Sequence, residues 1–223
     1  MKLGLLTTIF LFNINTLLAQ NFANLGADAN LSPTLFKTIV PDKPILGSQN
    51  LKDNWVPGSI TTLSGKNFYL PSINYNIYLK KIIFLQDNQQ YSLNQNINIK
   101  RFNIGKNLFV YTPYDNDTKF DFFEELVGEG KLILLKLYGC ELVIGQPDYG
   151  VTPGTPDKFV INEDYYVKLE GGELTEVNIK KAEILMIMND HKTEINQYIK
   201  SNKIKFKDES DLIELFEYYN LLN

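Results

Sequence analysis

The sequence predicts an α+β fold: a mainly antiparallel β-meander that forms a curled sheet or a sandwich or roll, with two to three C-terminal helices packed on it. Apolar side chains alternate along the chain from about residue 35 to residue 177. Turn-forming residues interrupt this alternation at short intervals, as in a meander. Beyond residue 178 the apolar spacing becomes that of a helix face.

The first twenty residues have the pattern of a secretory signal peptide. Lys2 gives a positive start, an apolar run follows from Leu3 to Phe12, and Ala19 offers a small residue at the cleavage point. We predict a signal peptide over residues 1–19, a poorly ordered arm over 20–34, and a periplasmic or secreted product. No segment reaches the roughly 20 apolar residues that a membrane-spanning helix needs.

Residues 35–177 are predicted to form one antiparallel β domain. Ser64 and Gly65 separate two β-favouring runs, and glycine accepts the positive φ of a tight hairpin. From Ile73 to Leu85 the side chains alternate, which predicts one buried apolar face. The opposite face begins polar with Asn74 and Asn76 and becomes apolar at Ile82 and Phe84, so we expect the second half to be covered on both sides.

Two further features of this β domain are local. Asp87-Asn88 is predicted to be a turn between two strands. Further along, Ile99 and Phe102 lie at positions of opposite parity although both are apolar. A β-bulge near Lys100-Arg101 would direct both side chains into the same core.

Residues 178–223 are predicted to be a helical segment packed on the β domain. Asp190 is predicted to cap a second helix and Asp208 to cap the last one. The last helix carries one apolar stripe, consisting of Leu212, Leu215, Phe216, Tyr219 and Leu222. This stripe is expected to dock on the sheet or on the preceding helices, and the alternative is an exposed partner-binding stripe.

Composition argues against several classes of function. The formal net charge of −4 does not attract phosphate backbones, so we expect no nucleic-acid partner. Cys140 is the only cysteine, so no internal disulfide is expected. Asp115 and Asp117 lack the glycine and the distal glutamate of a calcium loop, and Gly128 to Lys131 lacks the length of a phosphate loop. We predict no metal site, no cofactor and no catalytic residue.

Several segments carry a family resemblance. They are Leu18-Ala19-Gln20, Gly47 to Gly58, Tyr75-Asn76, Phe123 to Lys131, Tyr198 to Phe206 and Tyr218-Tyr219-Asn220. Through them the chain resembles a diffuse group of exported, uncharacterised β-rich proteins of Bacteroidota-type bacteria. The resemblance implies a periplasmic or surface location and a β-rich body with a helical tail. It implies no activity.

Two classes of function stay open. The first is a non-catalytic binding or scaffolding protein, whose partner is an envelope protein or a glycan. The alternative is a carboxylate-dependent hydrolase with a site near the 145–157 loop, which uses Asp148, Glu163 or Asp164, with His191 as a further member. Tyr149 in that loop is a candidate ligand contact. For Cys140 and His191 the sequence leaves both a structural and a chemical role open.

Overall fold

The protein is described by a computed structural model that covers residues 33–36, 44–93, 98–115, 118–148, 150 and 153–222. The predicted signal peptide, nearly all of the arm, Asp117 and Tyr149 lie outside these residues. The fold is α+β, with antiparallel strands followed by helices, which confirms the predicted class. The chain divides into two compact units. Unit 1 is Met1–Lys106 with Cys140–Val160, and unit 2 is Asn107–Gly139 with Ile161–Asn223.

Unit 1 contains the first strands of the chain. Their hydrogen-bonded order is β1-β5-β4-β3-β2-β6, and neighbours run antiparallel. The strands are β1 (Pro33–Leu35), β2 (Val56–Thr62), β3 (Asn67–Asn76), β4 (Lys81–Gln86), β5 (Gln89–Leu93) and β6 (Ile99–Ile104). Sequential neighbours joined by short turns make most of this unit a meander.

The predicted turns of unit 1 are confirmed. Gly65 has a φ of 84°, and its N–H donates to the carbonyl of Thr62 at 3.0 Å, which closes the β2–β3 hairpin. Asp87 and Asn88 have φ values of 50° and 58° between β4 and β5. Two consecutive residues with positive φ match the twist of the flanking strands, so a two-residue hairpin forms there.

The predicted bulge in β6 is also present. Thr61 pairs with Arg101, whereas Thr62 pairs with Ile99, so Lys100 is the extra residue. Ile99 and Phe102 are both fully buried. The bulge therefore places two side chains of opposite sequence parity in one core.

Asn74 and Asn76, which begin the face of β3 predicted to be polar, are both buried. The amide of Asn74 accepts from the N–H of Lys52 at 3.1 Å and donates to its carbonyl at 2.7 Å. Asn76 accepts from the N–H of Leu79 at 2.8 Å. The backbone of the irregular segment before β2 thus supplies both partners of the buried Asn74 amide, whereas among the described residues the side chain of Asn76 has only the bond from Leu79 and its buried Nδ2 has no partner.

Unit 2 contains the remaining strands and the helices, and its boundaries fall within β9 and β10. The strand order is β7-β8-β9-β10-β11. The elements are β7 (Asn107–Tyr114), β8 (Lys119–Val127), β9 (Leu132–Val143), β10 (Lys158–Leu169), β11 (Thr175–Val177), α1 (Lys181–Ile187), α2 (Lys192–Asn202) and α3 (Glu209–Leu221). A single 3-10 turn, Asn189–His191, joins α1 to α2.

The three helices pack on the strands of unit 2, as predicted. One core cluster joins Val127, Leu132, Leu134 and Val167 of the strands to Ile184, Ile195, Leu212, Leu215, Phe216 and Tyr219 of the helices. The apolar stripe of α3 is therefore docked rather than exposed. Each fully buried large apolar side chain contributes about 1.5–3 kcal/mol relative to exposure, so the stripe is a main attachment of the tail.

One of the two predicted helix caps is present. Asp208 precedes α3, and its carboxylate accepts from the N–H of Ser210 at 3.1 Å. The prediction for Asp190 is wrong, because α2 begins after His191 and has no side-chain cap bond. Asp190 instead accepts from the ammonium of Lys131 and, at 2.9 Å, from the hydroxyl of Tyr219. The carboxylate of Asp190 therefore binds residues that are distant in the sequence, and not the helix N-terminus that the sequence pattern predicts.

Asn220 fastens the end of α3 to the turn between β8 and β9. Its Oδ1 accepts from the N–H of Leu132 at 2.8 Å, and its Nδ2 donates to the carbonyls of Glu129 and Leu132 at 3.0 and 2.9 Å. Gly130 has a φ of 111°, and a Cβ added there would lie 2.4 Å from Cγ of Asn220. The contact thus needs both the amide and the glycine.

Candidate functional site

A pocket of about 400 Å³ opens in unit 2 between the end of β7, the start of β8, the C-terminal half of β10 and the segment that leads into β11. We call it the tyrosine pocket. Its lining comprises Tyr114, Asp115, Lys119, Tyr166, Glu173, Leu174, Thr175 and Glu176. It thus combines two aromatic rings with one ammonium and three carboxylates.

The rings of the tyrosine pocket are held by mutual packing. Tyr114 and Tyr166 meet edge to face with centroids 5.9 Å apart. Phe123, which is fully buried, meets Tyr114 at 5.4 Å and Tyr166 at 5.1 Å, again nearly perpendicular. Edge-to-face contacts of this kind are favourable, and three of them among three rings leave little rotational freedom. The pocket wall is therefore preorganised.

Local turn chemistry places the polar side chains at the rim. Asp115 directly follows β7 and has a φ of 53°, and its carbonyl accepts from the N–H and the hydroxyl of Thr118 at 3.2 and 2.6 Å. This turn brings the ammonium of Lys119 within 2.8 Å of the Asp115 carboxylate. The hydrogen bond to Asp115 raises the pKa of Lys119. The rim therefore presents an ammonium group, which lies beside the carboxylate of Asp115.

The hydroxyl of Tyr166 belongs to the same pocket. It donates to a carboxylate oxygen of Glu176 at 3.4 Å across the β10–β11 pair. Burial, and then the charge of Glu176, raise the pKa of Tyr166 to about 12. The phenol therefore keeps its proton at neutral pH and acts as a hydrogen-bond donor.

A second group of polar residues lies inside unit 2, around Lys136 on β9. We call Lys136, Glu124, Tyr138, Tyr165 and Glu209 the Lys136 cluster. The ammonium is 3.2 Å from the carboxylate of Glu124, and it also donates to Glu209 in the first turn of α3. Lys136 and Glu124 each have side chains that are only 5% exposed. Such a pair is tolerated in an interior because the charges compensate each other.

Hydroxyl groups complete the Lys136 cluster. Tyr138 donates to Glu124 at 2.6 Å, and Tyr165 donates to Glu209 at 3.2 Å. The amide of Asn107 donates to the other oxygen of Glu124. The ammonium of Lys136 also lies 4.9 Å above the ring centroid of Tyr138, within the range of a cation–π contact. The cluster ties three strands to the last helix.

The protonation of the Lys136 cluster indicates a structural role. Burial lowers the pKa of Lys136, but the hydrogen bond to Glu209 and the surrounding carboxylates outweigh it, so the pKa is raised overall. Burial is the main cause that raises the pKa of both Tyr138 and Tyr165. All three groups keep their protons at neutral pH. A lysine acts as a nucleophile or base only when its pKa is lowered, which is the opposite of this arrangement.

The 145–157 loop, where the sequence predicts a site, is organised by its own hydrogen bonds. The carboxylate of Asp148 accepts from the N–H of Gly150 at 2.7 Å, and that of Asp157 accepts from the N–H of Gly145 at 2.8 Å. Both carboxylates therefore stabilise the conformation of the loop. Tyr149 lies outside the described residues.

The other candidate residues have separate surroundings. Glu163 lies at the edge of the Lys136 cluster, 4.0 Å from the ammonium, while Asp164 accepts from Asn162 at 3.3 Å. His191 is 3.9 Å from Asp190 and meets the ring of Tyr219 edge to face at 6.1 Å. Burial raises the pKa of the half-buried thiol of Cys140, which disfavours the reactive thiolate. The hydrolase alternative stays a prediction.

Sequence reasoning missed both the tyrosine pocket and the Lys136 cluster. The pocket has no local signal, because Tyr114 and Tyr166 are 52 positions apart in the sequence. The cluster does have one: Glu124 follows Phe122-Phe123, and Lys136 lies between Leu135 and Leu137. A charge inside an apolar strand run indicates a buried partner of opposite sign.

In comparisons with known proteins, no protein-family model, curated protein or solved structure matches the chain.

In the described ranges, none of the helices combines the length and the apolar character required to cross a membrane. In those same ranges, no three histidine, cysteine, aspartate or glutamate side chains are grouped so as to hold a metal ion.

Proposed function

We propose that the chain is an exported, non-catalytic binding or scaffolding protein that holds an envelope protein or a glycan in the tyrosine pocket. Export is supported by the leader pattern of residues 1–20. The observation that carries the binding role is the preorganised wall formed by Tyr114 and Tyr166, whose rings are held by the buried Phe123.

The pocket has the properties of a recognition site. Its volume of about 400 Å³ falls within the range of about 300–1,000 Å³ that is typical of ligand pockets. Lys119 supplies donors, while Glu173, Glu176 and the hydroxyl oxygen of Tyr166, whose proton is donated to Glu176, supply acceptors beside two ring surfaces. Because packing fixes the rings beforehand, a ligand loses less conformational entropy from the protein when it binds.

The protonation states support binding rather than proton transfer. A general acid or base works best when its pKa lies near the operating pH. The pKa of Tyr166 is about 12, and the pKa of Lys119 is also raised. Both groups therefore donate hydrogen bonds at neutral pH and do not exchange protons readily.

Site-specific photo-crosslinking in the native host tests this proposal. A benzophenone amino acid placed at Thr175, an exposed position in the pocket lining, should capture a defined envelope component. The same group at Glu194, an exposed position on α2, is the control. Adducts that form at Thr175 and not at Glu194 support the proposal. No adduct at Thr175, or the same adducts at both positions, would contradict it.

A further inference from the structure

We infer that unit 1 carries a second binding surface, on the outer face of β2, β3 and β6, and that this surface takes an extended acidic saccharide. The face is defined by Ser59, Thr61, Asn67, Tyr69, Arg101 and Asn103, and we call it the Tyr69 face. It goes beyond the tyrosine pocket, because it involves a different unit and different residues.

Strand register places these side chains in two parallel rows. Ser59 on β2 pairs with Tyr69 on β3 and with Asn103 on β6. Two residues along, Thr61 pairs with Asn67 and with Arg101. Residues two apart on a strand share a face, so all six side chains point the same way. Three neighbouring strands span about 10 Å, which suits an extended chain better than a small compact ligand.

The first row offers an aromatic platform beside polar groups. Tyr69 is 51% exposed although it is a large aromatic residue. A shallow depression lies next to it, lined by Pro57, Gly58, Ser59, Asn103 and Gly105. A tyrosine ring can cover the C–H face of a sugar ring, because its body is apolar while its hydroxyl stays hydrated. Small neighbours leave room for the sugar to lie flat.

The amides of the Tyr69 face can bind hydroxyl groups. The hydroxyl of Ser59 donates to Oδ1 of Asn103 at 3.4 Å, and that of Thr61 donates to Oδ1 of Asn67 at 2.6 Å. These bonds use the oxygen of each amide. Both Nδ2 groups remain as donors that make no bond to another residue in the described part of the chain. Each can donate to a hydroxyl or ring oxygen of a sugar.

Charge complementarity selects an acidic ligand. The segment from residue 56 to residue 106 contains one acid, Asp87, and six basic residues, whereas the whole chain has a net charge of −4. The basic residues are Lys66, Lys80, Lys81, Lys100, Arg101 and Lys106. Arg101 lies on the Tyr69 face itself, and Lys106 directly follows Gly105 at the rim of the depression. A guanidinium can bind a carboxylate through two parallel hydrogen bonds, and a uronic acid carries such a carboxylate.

The test is retention of the full chain on immobilised polygalacturonate, with neutral dextran as the matched polysaccharide. We expect retention on polygalacturonate that weakens with added salt, and none on dextran. The Tyr69→Ala variant and the paired Arg101→Gln, Lys106→Gln variant should each bind at least about tenfold more weakly. Lys181→Gln, at an exposed lysine of α1, should bind like the parent.

Four results would overturn the inference. They are failure of the parent to bind polygalacturonate, equal retention on dextran, parental affinity in the Tyr69 face variants, and tighter binding to duplex DNA of matched charge. Because the Tyr69 and charge variants alter exposed side chains, unchanged thermal unfolding should accompany them. Loss of crosslinking at Thr175 with intact polygalacturonate binding would separate failure of the proposed function from failure of this surface.

Discussion

The ammonium of Lys136 lies 3.2 Å from the carboxylate of Glu124, and both side chains are almost completely removed from solvent. Glu209 at the start of α3 accepts from the same ammonium, so one buried charge joins the sheet of unit 2 to its last helix. Removal of either Lys136 or Glu124 would leave the other charge buried without its partner, so unit 2 should be sensitive to such a substitution. Although burial lowers the pKa of Lys136, the neighbouring carboxylates raise it overall, which explains why Lys136 keeps its proton.

The Lys136→Met variant should lower the free energy of unfolding by about 3–5 kcal/mol, because it leaves the carboxylate of Glu124 buried without its cation. Urea denaturation followed by circular dichroism measures this change. Lys180→Met, at an exposed position, is the matched control and should be close to neutral. Adding Glu124→Gln to Lys136→Met should restore part of the loss. A single variant as stable as the control would disprove the structural role of the cluster.

The Gly130→Ala variant tests the contact between α3 and the β8–β9 turn. The new Cβ would clash with Asn220, and the φ of 111° is unfavourable for any L side chain. Gly171→Ala is the control, because Gly171 also has a positive φ, of 71°, but has open space where a Cβ would lie. Thermal unfolding should show that Gly130→Ala costs about 1–3 kcal/mol more than Gly171→Ala. Equal losses would mean that the contact with Asn220 is loose.

Acid should weaken the attachment of the tail through Asp190. The hydrogen bond from Lys131 lowers the pKa of Asp190 below its ordinary value of 3.8. A carboxyl group with a lowered pKa in the folded state stabilises the fold above its unfolded pKa, and this contribution disappears as the pH falls through the folded pKa. Asp190→Asn should therefore reduce the loss of stability that the parent shows on acidification below about pH 4.

Chemical denaturation at a series of pH values from neutral to acid measures this difference. Lys131→Met should change the acid response in the same direction, because it removes the other half of the pair. Identical acid profiles for the parent and Asp190→Asn would show that the pair contributes nothing to the pH dependence.

Local rules account for the parts of the fold that the sequence predicts. The hairpin at Gly65 and the turn at Asp87-Asn88 follow from φ preferences of single residues. The bulge at Lys100 follows from the parity of nearby apolar residues. The apolar stripe on α3 follows from the helical spacing of its residues. The stripe docks on the sheet because its apolar side chains must be removed from water. Apart from the docking partners of α3, each of these features is determined by residues that are close together in the sequence, which is why sequence patterns predict them.

Features that depend on distant partners are not predictable in this way. Asp190 follows the sequence pattern of a helix cap, yet Lys131 and Tyr219 bind it. Asn74 follows the pattern of a solvated strand face, yet the backbone of Lys52 covers it. The tyrosine pocket likewise requires β7 and β10 to be brought together by tertiary pairing, which no single segment encodes.

The adjacent residues Tyr165 and Tyr166 allow the most direct test of the central claim. This claim is that the tyrosine pocket, and not the Lys136 cluster, forms the binding site of unit 2, while the cluster stabilises the fold. Tyr166→Phe removes the pocket hydroxyl, while Tyr165→Phe removes the hydroxyl that donates to Glu209. With the photo-crosslinker at Thr175, crosslink yield and free energy of unfolding are measured for both variants. We predict that Tyr166→Phe loses crosslinking and stays within about 0.5 kcal/mol of the parent, whereas Tyr165→Phe keeps crosslinking and loses about 1–2 kcal/mol. Full crosslinking in Tyr166→Phe, or its loss in a folded Tyr165→Phe, would contradict the account.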